Sequence, residues 1–195
     1  MTNFNVYTPS SAPEKSRGIL KFWQERLGFS PNVVGVMAES PALLKGYSDL
    51  YSAFDGGLFS PVEREIISIT VSHMNGSPYC IAAHCAWAEK AGVPRDVLNA
   101  LREEKPLKEP RLEALRLFVI SVMKKMGRAD ERDLAAFYKA GYTKAHVLEV
   151  ILGLSLSLIG NYVNHIAVPE LDKAFEPHRV ESVKRKSGDR SSHAA

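Results

Sequence analysis

Cys80 and His84 are the pair in this sequence best placed to do chemistry. A cysteine four residues before a histidine on a helix puts both side chains on one face, one turn apart. The run Ser77-Pro78-Tyr79-Cys80 offers an N-cap residue and a proline at the first helical position, so Cys80 is the third residue of the first turn. Unpaired amide N–H groups and the positive end of the helix dipole favour a thiolate there, which predicts a Cys80 pKa below that of a free cysteine. His84 could accept the thiol proton directly or through a water. The plainer alternative is a small buried cysteine beside a half-buried histidine in ordinary polar contact. Spacing alone leaves both open.

The neighbours of this pair are read in the same way. Ser77 before a proline is a standard helix cap, and capping is its expected role whatever else it does. Glu65 lies on the preceding helix, where a solvated carboxylate is the default. His73, near the end of that helix, and His165, in the run Asn161-Tyr162-Val163-Asn164-His165, are further candidates for a place beside the site. Cys80, His84 and His73 could supply three zinc ligands, but no spacing supports a fourth, and no metal site is expected. No glycine-rich phosphate loop follows a strand and no Ser-His-Asp order stands out, so no nucleotide or other cofactor is expected. The second cysteine, Cys85, is turned about 140° from Cys80 at 100° per residue, so a bridge between them would require the helix to open. Reduced thiols in a reducing compartment, and hence a cytoplasmic protein, are the simpler reading.

The elements that must hold these residues are all helical. Glu14 to Leu27 carries Ile19, Leu20, Trp23 and Leu27 at three-four spacing and stops at Gly28. A short helix is expected around Val33 to Ala38, then a longer one from Pro41, capped by Ser40 and closed by Gly56–Gly57. Ser60-Pro61-Val62-Glu63 combines cap, proline and glutamate in a capping box, and its helix should run to about Met74. The Cys80 helix follows and stops at Gly92. Further helices open at Pro94, Pro110 and Asp130. Thr143 caps a long apolar helix to Ala167, the bundle's central core or a subunit interface. The stretch Ile66 to Ser72 has strand-like propensity, but its capping box and stop signal argue for helix. The expectation is one all-α domain over 1–177 and a basic tail over 178–195.

Composition narrows the function classes. A chain of 195 residues with 45% hydrophobic and 24% charged residues can bury a proper core. No uninterrupted run of apolar residues suggests a membrane span, and the first residues lack the pattern of a secretory signal. The net charge of +3 comes from the segment after Pro177, leaving a nearly neutral body, which argues against nucleic-acid binding.

Glu65, Ser77, Cys80 and His84 stand in the spacing E-x11-S-x2-C-x3-H, within EREIISITVSHMNGSPYCIAAH. This closely resembles the alkylhydroperoxidase D motif E-x11-C-x2-C-x3-H of the carboxymuconolactone decarboxylase family, peroxidase-related subgroup, down to Val71, Ser72, Asn75, Tyr79 and Ala83. The resemblance implies an all-α bundle that assembles into homo-oligomers. It implies reduction of a peroxide substrate by a cysteine pair, recharged by an external thiol or disulfide reductant. Cys80 would be the attacking thiolate, and Glu65 and His84 a proton relay. Ser77 replaces the first cysteine of the pair, so no disulfide can form between the two motif positions. A one-cysteine peroxidase resolved by an outside thiol, resolution by Cys85 after local unfolding, and weakened activity all follow from that departure. A decarboxylase-type acid–base enzyme or a catalytically weak oligomeric scaffold are the alternatives on the same fold.

Overall fold

The computed structural model describes residues 4–181. Among them are α1 (Glu14–Leu27), α2 (Asn32–Met37), α3 (Pro41–Asp55), α4 (Pro61–Asn75) and α5 (Pro78–Lys90). These are followed by α6 (Arg95–Arg102), α7 (Pro110–Lys124), α8 (Glu131–Lys139), α9 (Lys144–Ala167) and a 3-10 helix, Lys173–His178. No strand occurs among the described residues, and the fold is the expected all-α bundle.

The start signals act as read. Ser40 Oγ accepts from the Leu43 amide, and Thr143 Oγ1 from that of His146. Ser60 and Glu63 complete a reciprocal capping box, with the Glu63 carboxylate accepting from the Ser60 amide at 2.9 Å. The β-branched run of α4 is helical because burial overrides its propensity. Ile66, Ile67, Ile69 and Val71 are all fully buried, as expected of a helix packed on every side. Truncating any of these isoleucines to alanine costs about 2–5 kcal/mol.

Two apolar cores flank α4 and α5. The larger holds Ile66, Ile69, Cys85, Leu115, Phe118 and Phe137, joining α4, α5, α7 and α8. The smaller holds Leu20, Trp23, Val34, Leu44, Cys80 and Phe175, from α1, α2, α3, α5 and the 3-10 helix. Tyr47 and Tyr51 pack against both. Gly153 lets α9 come close to α3 and α4, since a Cβ there would lie 2.7 Å from the Phe54 ring and 3.1 Å from Ile67. By length and composition α9 could cross a membrane, but its Gly153, Leu154, Leu156, Gly160 and Asn161 side is buried in the bundle. Leu148, Ile151, Tyr162 and Ile166 of α9 are exposed.

The 3-10 helix is tied to α5. Phe175 packs edge-on against Tyr79 and Trp87. The Tyr79 hydroxyl donates to Asp172, which also accepts from the Asn32 amide at the start of α2. Of the basic segment expected from residue 178, residues 182–195 lie outside those described. His178 itself is buried, with Nε2 at 3.0 Å from Glu89 and Nδ1 at 3.2 Å from Arg102.

Candidate active site

Cys80 is the third residue of α5, as the cap and proline require. Asn164 of α9 donates to its sulfur at 3.1 Å, and Asn161, one turn earlier on α9, also lies beside it. Asn161 is held in turn: it accepts from Asn75 at 2.7 Å and donates to Ser72 Oγ at 3.2 Å. Gly160 completes this wall, and a Cβ there would lie 4.0 Å from Cys80 Sγ.

The expected low thiol pKa is overturned. Cys80 is 7% exposed, and burial pushes its thiol above the ordinary value. Ser77, Asn161 and Asn164 favour the thiolate but do not outweigh the lost hydration. A helix N-terminus lowers a thiol pKa most where water also reaches the sulfur, and here little does.

Ser77 corrects a second expectation. Its backbone is the N-cap, but its side chain makes no capping bond. Its backbone is close to that of Ser40, which does cap, so the difference lies in the side chain, which is buried beside Cys80 instead. Ser77 Oγ is buried with no partner at strict hydrogen-bonding geometry, though it is near enough to Cys80 to stabilise the thiolate.

His84 and Glu65 meet across the α4–α5 contact, with Nδ1 2.8 Å from Glu65 Oε2. Both are partly exposed, and both open with Cys80 onto one pocket of about 410 Å³. Its walls include the rings of Trp23, Tyr47, Tyr51 and Trp87. Trp23 stacks on Tyr47 at 5.7 Å, and burial pushes the Tyr47 phenol well above its ordinary value, with Cys80 adding to the shift. On the polar side of the pocket Asp55 is shared between Arg26 and Arg64, the latter at 3.0 Å.

Glu65, His84 and Cys80 thus line one pocket, as the resemblance to the family motif implied. His73 is not among them; it faces Glu104 beyond α6, with 3.8 Å between Nδ1 and the carboxylate. His165 is exposed, against the Tyr162 ring, and does not line the Cys80 pocket. Tyr47, Asn161 and Asn164 were missed. Two amides three residues apart near the end of an apolar helix were the available signal for the asparagines, because such a pair must turn its polar groups to one interior spot.

Residues 41–105, which span α3 to α6 and contain Glu65, Ser77, Cys80 and His84, match the carboxymuconolactone decarboxylase family. No curated protein matches the chain by sequence. Among solved structures, the chain is similar to an alkylhydroperoxidase D core, an uncharacterized peroxidase-related protein from Ralstonia eutropha JMP134. That match has a TM-score of 0.79 and 22% identity, over 89% of this chain and 93% of the other. A peroxidase-related protein from Silicibacter sp. TM1040 matches at TM-score 0.74 and 20% identity, over 88% and 91%. The debrominase Bmp8, in a cysteine-to-alanine variant in complex with 2,3,4-tribromopyrrole, matches at TM-score 0.74 and 18% identity, over 91% and 95%. At these identities the structures establish the fold, an alkylhydroperoxidase D-like helical bundle.

Proposed function

We propose that the protein reduces organic hydroperoxides with Cys80 and is recharged by an external thiol. One observation carries this reading: the Cys80 sulfur and the Glu65–His84 pair open onto the same aromatic-walled pocket. The apolar body of a hydroperoxide packs against Trp23, Tyr47 and Trp87. With Nδ1–H given to Glu65, His84 Nε2 is left as the base. The raised thiol pKa makes that base necessary at neutral pH, because Cys80 is then mostly protonated. Sulfur attacks the terminal peroxide oxygen, the O–O bond breaks, and the departing alkoxide takes the proton that His84 removed from the thiol. An alcohol leaves and Cys80 becomes a sulfenic acid.

Ser77 cannot resolve that sulfenic acid by a disulfide. Cys85 is fully buried in the other core, and burial pushes its thiol up to about 12. An external thiol is thus the reductant, which suits a reducing compartment. The exposed apolar face of α9, through Leu148, Ile151, Tyr162 and Ile166, is the surface on which a homo-oligomer would form.

A second reading, thiol attack on a halogenated aromatic compound, is favoured by the aromatic walls and by the similarity to a debrominase structure holding a brominated pyrrole. Turnover of cumene hydroperoxide with dithiothreitol tests the first reading. Cys80→Ser is expected to fall to background, and His84→Asn by about 100-fold, within the usual range for a general acid–base residue. Turnover surviving in Cys80→Ser contradicts both thiol readings and favours acid–base chemistry of the decarboxylase type. An inert wild type that debrominates an aromatic probe supports the second.

A further inference from the structure

Cys80 is approached from two sides by different parts of the molecule. The aromatic pocket reaches it from the side of Asn161. A second pocket of about 390 Å³ lies at the start of α5, lined by Ser77, Pro78, Tyr79, Asn164, Val168 and Leu171, among others. It does not include Cys80, but its inner wall contains Asn164, which donates to the sulfur, and Ser77, whose hydroxyl lies near it. Asn161 and Asn164, one turn apart on α9, thus bracket the sulfur, one facing each pocket.

The wall of the second pocket is also incompletely bonded. Asn164 is 5% exposed; its Nδ2 donates to Cys80 Sγ and to Gly160 O, while Oδ1 has no hydrogen-bond partner among the described residues. A buried amide oxygen without a donor costs free energy that a protein of this size seldom leaves unrecovered. A group carrying a proton toward the sulfur from that side would satisfy it.

Displacement at sulfur adds a directional requirement. The incoming nucleophile must approach along the line of the breaking bond, opposite the leaving atom. An oxygen delivered to Cys80 from the aromatic pocket lies on that pocket's side, so a thiol that displaces it must arrive from the other. We propose that the Ser77–Asn164 pocket is the entry for the reducing thiol, separate from the substrate pocket. This rests on the peroxidase reading and deepens it. The thiol R–SH loses its proton to solvent, its sulfur bonds to Cys80 as the S–O bond breaks, and the departing hydroxide takes a proton from His84 on the aromatic side, resupplied by solvent, and leaves as water. A second thiol then attacks the mixed disulfide, freeing Cys80 as a thiol and R–S–S–R as product. Asn164 Oδ1 accepts the S–H of the incoming thiol before that proton is lost, and the Ser77 hydroxyl lies on the same side.

Val168 lines only the second pocket and is 76% exposed; it sits at a φ of 46° at the end of α9, so Val168→Gly also relieves backbone strain and urea unfolding of each variant is measured beside the kinetics. Glutathione is the probe. Cys80 is oxidised to the sulfenic acid with one equivalent of hydrogen peroxide, and the two half-reactions are followed separately in wild type, Val168→Gly and Val168→Trp. The expectation is that Val168→Trp slows reduction by glutathione at least about tenfold, that Val168→Gly does not slow it, and that oxidation moves less than about twofold. Equal changes in both half-reactions, or none in reduction, overturn the proposal. Independently of peroxide, the mixed disulfide formed with oxidised glutathione is crystallised. A glutathione moiety beside Val168 and Leu171 supports the second entrance. One lying among Trp23, Tyr47 and Trp87, or no mixed disulfide at all, overturns it. Failure to form a sulfenic acid counts against the peroxidase reading alone, because the mixed disulfide still decides which pocket admits the thiol.

Discussion

The two thiols of α5 have the same chemistry and opposite surroundings. Cys80 belongs to the smaller core, where Asn161, Asn164 and Ser77 reach its sulfur and a pocket opens onto it. Cys85 belongs to the larger core, 0% exposed, and among the described residues only the charge of Arg102 favours its thiolate. Burial raises both pKa values, but amide donors hold Cys80 back while Cys85 is pushed up to about 12. Helix position alone therefore does not make a cysteine reactive. What separates the pair is a polar wall on α9, far away in sequence, and the space beside it.

The contrast can be broken most sharply by alkylation. In the native protein at pH 8, iodoacetamide should modify Cys80 about 100-fold faster than Cys85, and the difference should vanish in denaturant. The Cys80 rate should keep rising above the ordinary thiol pKa, because its folded value is raised. Equal native rates would remove the distinction. A smaller change tests the wall itself. Asn164→Ala removes a donor to the sulfur, so the pH profile of Cys80 alkylation should move alkaline by roughly one unit, the worth of a hydrogen bond to a charged group. An unmoved profile would mean that Asn164 only packs.

The smallest expected effect is on stability. Cys85→Ala leaves a small cavity in the larger core and should cost roughly 1 kcal/mol at neutral pH, measured by urea unfolding. The sign of its pH dependence follows from the raised pKa. The unfolded chain ionises first, so stability due to Cys85 is full below the ordinary thiol pKa and is lost as pH rises toward about 12. Cys85→Ala should therefore lose less stability than wild type between pH 9 and pH 11.

The helices were legible because their ends are punctuated by proline, serine and glycine. Ser60 and Ser77 show where that legibility stops. Both precede a proline at a helix start, yet Ser60 caps α4 and Ser77 does not cap α5. The backbone does not decide it, since Ser40 caps α3 at a ψ of 100° close to the 93° of Ser77; the Ser77 hydroxyl is instead buried beside Cys80, a contact made by tertiary packing. Glu65 and His84 could be paired from motif spacing, since both lie on adjacent helices joined by a short turn. Asn164 and Tyr47 could not, because only tertiary packing of α9 and α3 brings them to the sulfur. The sign of the Cys80 pKa shift was missed for the same reason: the dipole is local, whereas burial is made by distant residues.

Mass spectrometry after one equivalent of cumene hydroperoxide, with a sulfenic-acid trap present, tests the account most directly. The account predicts that the trap marks Cys80 and leaves Cys85 as a free thiol. Labelling of Cys85 in equal measure, or none at Cys80, would contradict it.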